Sequence, residues 1–217
     1  MMGVVAGWLA VSGAVAGEAV GVEELLGRLA ARAPKWGVRA EFREERKLAM
    51  LREPVRASGW LEYLAPGYFR KSVTGPVRSE TVFDGERLWV VFPDEGVAEV
   101  YSGRAQRAVV DSLAGVAAVW APGDLMRRFE AECTREGEGY VLRLRPRSRS
   151  LRRALERVVL RLSGELRLVE VVLEGPDKSF SRIEILSERD VRLESRDFAV
   201  NPEAKGWRVV EPLGRGR

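Results

Sequence analysis

The sequence contains no histidine and a single cysteine, Cys133. The first absence removes every mechanism that relies on an imidazole as base, as partner of a nucleophile or as metal ligand. The second removes internal disulfides and paired-thiol metal knuckles. Cys133 falls on an apolar position of the alternating run FEAEC and is expected to be a core thiol, since a free cysteine packs like a small hydrophobe. A glycine-rich phosphate loop is also missing, because the glycines fall at turns. The carboxylates are scattered over outer faces, and no two of them form an acid–base couple. Catalysis therefore has no foothold, and no enzyme activity, cofactor or metal is expected.

Long uncharged runs are also scarce, and the longest opens the chain. Residues 1–16, MMGVVAGWLAVSGAVA, carry no charged side chain and close on Ala14-Val15-Ala16. An apolar stretch ending in a small-x-small site reads as a secretory signal peptide cut before Gly17. It is too short to span a bilayer comfortably, and no cysteine stands nearby to receive a lipid. The expectation is export to the periplasm as a soluble monomer, with residues 17–217 forming a single domain. Lys and Arg number 36 against 32 Asp and Glu, a formal charge of +4, but the two signs alternate along most of the chain. A nucleic-acid binder segregates its cations on one face, so no nucleic-acid partner is expected.

What the chain does have is alternation. Residues 22–33, VEELLGRLAARA, place Val22, Leu25, Leu26, Leu29 and Ala30 on one helical face, with Glu23 and Glu24 in the first turn and Pro34 after the last. Beyond Gly37 the apolar period changes from 3.6 to 2, and residues 39–101 read as short strands joined by turns at Pro66-Gly67, Asp84-Gly85 and Asp94-Glu95-Gly96. Residues 104–120 return to a helical period, apolar nearly all round. From residue 124 the strands resume, interrupted by one or two helical turns in SLRRALERV. The tail DFAVNPEAKGWRVVEPL reads as a short strand, a turn and a last strand. This order holds no parallel crossover. It predicts a mainly β, α+β domain: one large curved antiparallel sheet with helices covering its concave face.

Such a wide sheet has only two short helices to fill it. Leu61, Tyr63, Phe69, Val82, Leu88, Val90 and Phe92 are therefore expected to line an apolar cavity, partly plugged by Val109, Leu113, Val116 and Trp120 of the second helix. A second feature is the arginine run between Arg143 and Arg161, which holds eight arginines and one acid, Glu156. Alternation with Leu and Val makes most of it the solvated outer face of strands. Its functional reading is a docking patch at Arg147, Arg149, Arg152 and Arg153 for anionic headgroups or an acidic partner.

These residues resemble the LolA-type periplasmic lipoprotein carriers. The likeness rests on VEELLGRLA, EFREERKLAML and the block GWLEYLAP at 59–66. It continues through Phe69, Val82-Phe83-Asp84-Gly85 and Leu88-Trp89 to Phe198-Ala199-Val200-Asn201-Pro202, and the arginine-rich segment marks a divergent branch. The resemblance implies an unclosed β-barrel with a helical lid, whose interior accepts the acyl chains of a lipoprotein or lipid. It also implies cargo received from an inner-membrane transporter and passed to an outer-membrane acceptor. The alternative is a LolA-like sensor or adaptor that binds an envelope protein. Two positions depart from the pattern. Ala65 stands where the carriers place an arginine that bonds to the lid, and Lys71 stands where an aromatic is usual.

Overall fold

The computed structural model describes residues 17–101, 119–120 and 122–212. Among the described residues thirteen strands form one sheet. The first half of the chain supplies β1 (Glu18–Val20), helix α1 (Val22–Arg32), β2 (Val38–Lys47), β3 (Val55–Leu64), β4 (Tyr68–Gly75), β5 (Ser79–Phe83), β6 (Leu88–Phe92) and β7 (Val97–Tyr101). A short helix α2 (Leu125–Arg128) opens the second half. It continues through β8 (Phe129–Glu136), β9 (Gly139–Pro146), one helical turn α3 (Arg149–Arg152), β10 (Arg157–Leu162), β11 (Leu168–Glu174), β12 (Phe180–Asp190) and β13 (Arg208–Val210).

The spatial order is β1-β8-β9-β10-β11-β12-β2-β3-β4-β5-β6-β7-β13. All neighbours are antiparallel except β13, which runs parallel to β7. The two halves join where β12 pairs with β2, from Phe180 opposite Lys47 to Asp190 opposite Val38. The outermost strands β1 and β13 do not pair, so the barrel stays unclosed. This is the mainly β architecture that alternation and the absence of crossovers predict.

Two local details show how sequence sets the register. Asp84-Gly85 turns β5 into β6, with Gly85 at φ 94°, and Asp84 Oδ1 accepts from the amides of Glu86 and Arg87 at 2.9 and 2.7 Å. Its second oxygen accepts from the Trp89 indole at 3.0 Å, which ties the turn to the next strand. Gly59 lies in a bulge of β3, where an added Cβ would sit 1.8 Å from the Ser72 carbonyl oxygen. Only glycine lets the two strands approach this closely.

The main core lies on the concave face. Val38, Ala40 and Phe42 of β2, Leu61 and Tyr63 of β3, and Phe69 of β4 share one cluster with Phe129 and Cys133 of β8 and Leu142 and Leu144 of β9. β4 and β8 are far apart in the strand order, so a common cluster requires the sheet to curl. Leu25 and Leu29 of α1 fill its interior, whereas Ala30, expected on the same helical face, is exposed. Cys133 is a buried free thiol whose pKa is raised by burial, opposed by the charge of Arg143.

A second core lies on the opposite, convex face. Val82, Trp89, Val91 and Ala98 are covered there by Leu193 and Phe198 of the segment after β12. That segment contains a three-residue-per-turn helix at Ser195–Phe198 instead of the expected strand. Glu194 and Asp197 close it with a reciprocal capping box, a local arrangement that competes with extended backbone. Phe198 is wholly buried, the Arg70 guanidinium lies 5.6 Å from its ring, and Arg70 also donates to the Asp197 carbonyl.

Candidate functional site

Cross-strand register builds the concave wall row by row. One row runs Val38, Tyr63, Phe69, Phe83, Leu88, Tyr101, and the next runs Ala40, Leu61, Lys71, Thr81, Val90, Glu99. Leu61, Tyr63, Phe69 and Leu88 are buried, and Val90 and Phe92 are half-buried on the same alternation. Val82 differs. The Asp84-Gly85 hairpin pairs Phe83 with Leu88 and Val82 with Trp89, which turns Val82 to the convex core. The apolar residue of β5 on the concave side is Phe83.

Trp120 enters the same interior from beyond the sheet. Its ring stacks on Tyr63 at 6.0 Å, and its indole donates to Glu188 at 3.2 Å. Glu188 also meets Arg32 of α1 at 3.6 Å and Arg167 of the β10–β11 turn at 3.9 Å. One carboxylate thus gathers three elements around one end of the sheet. An open cleft of about 880 Å³ lies there, bordered by Arg28, Tyr140, Leu168, Ile185 and Glu188 among others. Val109, Leu113 and Val116, expected to plug the cavity with Trp120, lie outside the described residues, as does the expected signal peptide at 1–16.

An ion pair stands on this mainly apolar wall. Lys71 reaches past the Phe42 ring, 5.2 Å from its centroid, and donates to Glu44 Oε2 at 2.5 Å. Glu44 Oε1 accepts from Ser181 at 2.6 Å and from Arg46 at 2.9 Å. The Glu44 side chain is 3% exposed and that of Lys71 is 13% exposed. Burial alone would raise the Glu44 carboxyl. The charges of Lys71 and Arg46, with hydrogen bonds from Lys71 and Ser181, instead bring it from 4.5 to about 2. Burial lowers Lys71, and Glu44 opposes that shift. Alternation places Glu44 on the Phe42 face, but its partner on β4, two strands farther along the chain, is not legible in the sequence.

A pH dependence follows from this pair. Glu44 has a folded pKa below its unfolded value, so its contribution is complete above about 4.5 and is lost as pH falls through about 2. The loss should be roughly 3 kcal/mol. Urea unfolding midpoints followed down this window should fall for the native chain and change much less in Glu44→Gln.

The arginine run divides into two groups. Arg143, Arg157 and Arg161 form cross-strand pairs with Glu136, Glu174 and Glu170 on the convex face. Arg147 donates to the Met126 and Phe129 carbonyls, and Arg152 donates to the Arg147 carbonyl. Arg149 and Arg153 are exposed beside them. Ala65 is exposed in the β3–β4 turn, next to a cis Pro66.

The scaffold is a curled, unclosed sheet around an apolar interior. Residues 36–200 match the model of the family described as outer membrane lipoprotein carrier protein LolA, and the chain belongs to that family. No curated protein matches it. The chain is similar to a LolA superfamily protein from Nitrosomonas europaea, at 10% identity and TM-score 0.47, over 83% of this chain and 98% of that one. It is also similar to a putative outer membrane lipoprotein-sorting protein domain from Vibrio parahaemolyticus, at 12% identity and TM-score 0.46, over 81% and 94% of the two chains. A third similar structure is the MucA/MucB complex of Pseudomonas aeruginosa, at 15% identity and TM-score 0.41, over 83% of this chain and 61% of that one.

Proposed function

We propose that this chain is a periplasmic carrier that shields acyl chains of a lipoprotein or lipid against its concave face. It would receive them from an inner-membrane transporter and release them to an outer-membrane acceptor. The observation that carries this reading is the extent of the apolar wall, from Phe129 and Leu142 through Phe42 and Leu61 to Phe69. Membership of the LolA family supports the same reading. Binding needs no covalent step, because each methylene moved out of water contributes about 0.8 kcal/mol. Leu61, Tyr63, Phe69, Leu88 and Trp120 are the proposed contacts, and Val109, Leu113 and Val116 would complete them. Release then requires a competing apolar site on the acceptor.

Ala65 bears on the cargo. A methyl group at the turn cannot make the hydrogen bond to the lid that the family resemblance implies for an arginine there. The class of cargo is therefore acyl chains in general, with lipoprotein as one member. Native mass spectrometry after expression in a host with a cell envelope should show bound acyl-containing ligand. A protein recovered empty that also leaves a fluorescent fatty acid unquenched and unshifted would overturn the proposal.

A further inference from the structure

The end of the sheet opposite the Glu188 cleft carries apolar side chains that no described residue covers. β11–β12, β2–β3 and β4–β5 are three hairpins built from consecutive strands, and their turns emerge side by side at this end. The connection from Lys47 of β2 to Val55 of β3 reads Leu48-Ala49-Met50-Leu51-Arg52-Glu53-Pro54, and every one of these residues is exposed. Met50 is 88% exposed, and Val77 at the tip of β4–β5 is 58% exposed. A solvated turn has no folding reason to contain Leu-Ala-Met-Leu, since turns are ordinarily built from Gly, Pro, Asn, Asp and Ser.

Cations outnumber acids around these tips. Lys47 and Arg52 bracket the apolar four, with Glu53 next in the chain, and Lys178 stands beside Asp177 on the neighbouring β11–β12 turn, directly beyond the Phe180–Lys47 pair. Farther along the same end, α3 presents Arg149 and Arg153, in a segment whose single acid is Glu156. The apolar residues occupy separate projecting turns and include no aromatic ring. A protein-binding patch would be contiguous and centred on aromatic anchors. Protruding aliphatic tips within a cationic surround suit a fluid surface that is apolar below and anionic above.

We propose that this end docks onto an anionic phospholipid bilayer, with Leu48, Met50 and Leu51 entering the acyl boundary and Val77 beside them. Lys47, Arg52, Lys178, Arg149 and Arg153 face the headgroups. Docking in this orientation leaves the Glu188 cleft pointing away from the membrane. The acyl-carrier reading is not required for it.

The purified chain is mixed with vesicles of phosphatidylcholine containing phosphatidylglycerol, or of phosphatidylcholine alone, and the retained fraction is measured by flotation. Retention should be about tenfold higher on the anionic vesicles and should weaken as salt rises. Met50→Asp with Leu51→Asp should reduce it about tenfold, and Arg149→Glu with Arg153→Glu should reduce it by a similar factor. All four positions are exposed, so thermal midpoints and fatty-acid binding should stay unchanged, which separates this result from any failure of the cargo reading. In addition, Met50→Cys labelled with an environment-sensitive fluorophore should shift to the blue on the anionic vesicles. No retention on either vesicle, or retention indifferent to the Met50 and Leu51 substitutions, overturns the proposal. So does a label at position 50 whose emission stays unshifted on vesicles that retain the chain.

Discussion

Lys71→Ala is expected to destabilise the protein by about 3 kcal/mol, although it removes a charge from an apolar wall. The reason is the group left behind. Glu44 is almost fully enclosed and depends on Lys71, Arg46 and Ser181 for its hydrogen bonds. Without Lys71 one carboxylate oxygen loses its donor in a site where solvent cannot replace it, and the pKa of Glu44 rises. Replacing both partners at once has a different outcome. Lys71→Met with Glu44→Gln keeps the volumes, retains an acceptor for Ser181, and removes both buried charges, so it should lie within about 1 kcal/mol of the native chain. The double-mutant cycle by urea unfolding should therefore show strong coupling. Near-additive costs would mean that the ion pair is solvated and that Lys71 merely lies along the wall.

That pair also marks a limit of what a single sequence discloses. Strand alternation and turn residues are local, and they gave the hairpins, the helix α1 and the solvated faces of Arg143 and Arg161. The concave positions of Leu61, Tyr63 and Phe69 follow from the same period. Val82 does not follow them, although it is apolar and was expected beside Leu88. The hairpin itself contains the correction: with Asp84 and Gly85 at the turn, Phe83 faces Leu88 and the next pair outward faces the other way. The convex core was hidden for another reason. Phe198 reaches Val82 and Trp89 across more than a hundred residues, and nothing in the spacing of DFAVNP reports what lies beneath it. Lys71 did leave a trace, as a cation in a place where the resemblance led one to expect an aromatic. Its long stem over the Phe42 ring occupies the space an aromatic would fill.

The second large effect concerns that convex core. Phe198→Ala should cost about 3–5 kcal/mol, the range for truncating a wholly buried aromatic. The cavity would open between Tyr68, whose ring lies 5.6 Å from that of Phe198, and the Arg70 guanidinium above it. Arg70 is held by Glu62 at 3.2 Å and by the Asp197 carbonyl, so losing the ring also loosens the contact that fastens the C-terminal segment to β4. The two cores share no buried residue, being separated by the backbone of the sheet itself. The damage should therefore be local at first. Hydrogen exchange should accelerate in β5, β6 and β7, which rely on the convex cover, while β9, β10 and β11 keep most of their protection. A uniform rise across all strands would show that the two faces unfold as one unit. Under the local outcome the concave face survives a weakened back, and fatty-acid binding by Phe198→Ala below its unfolding transition should stay close to that of the native chain.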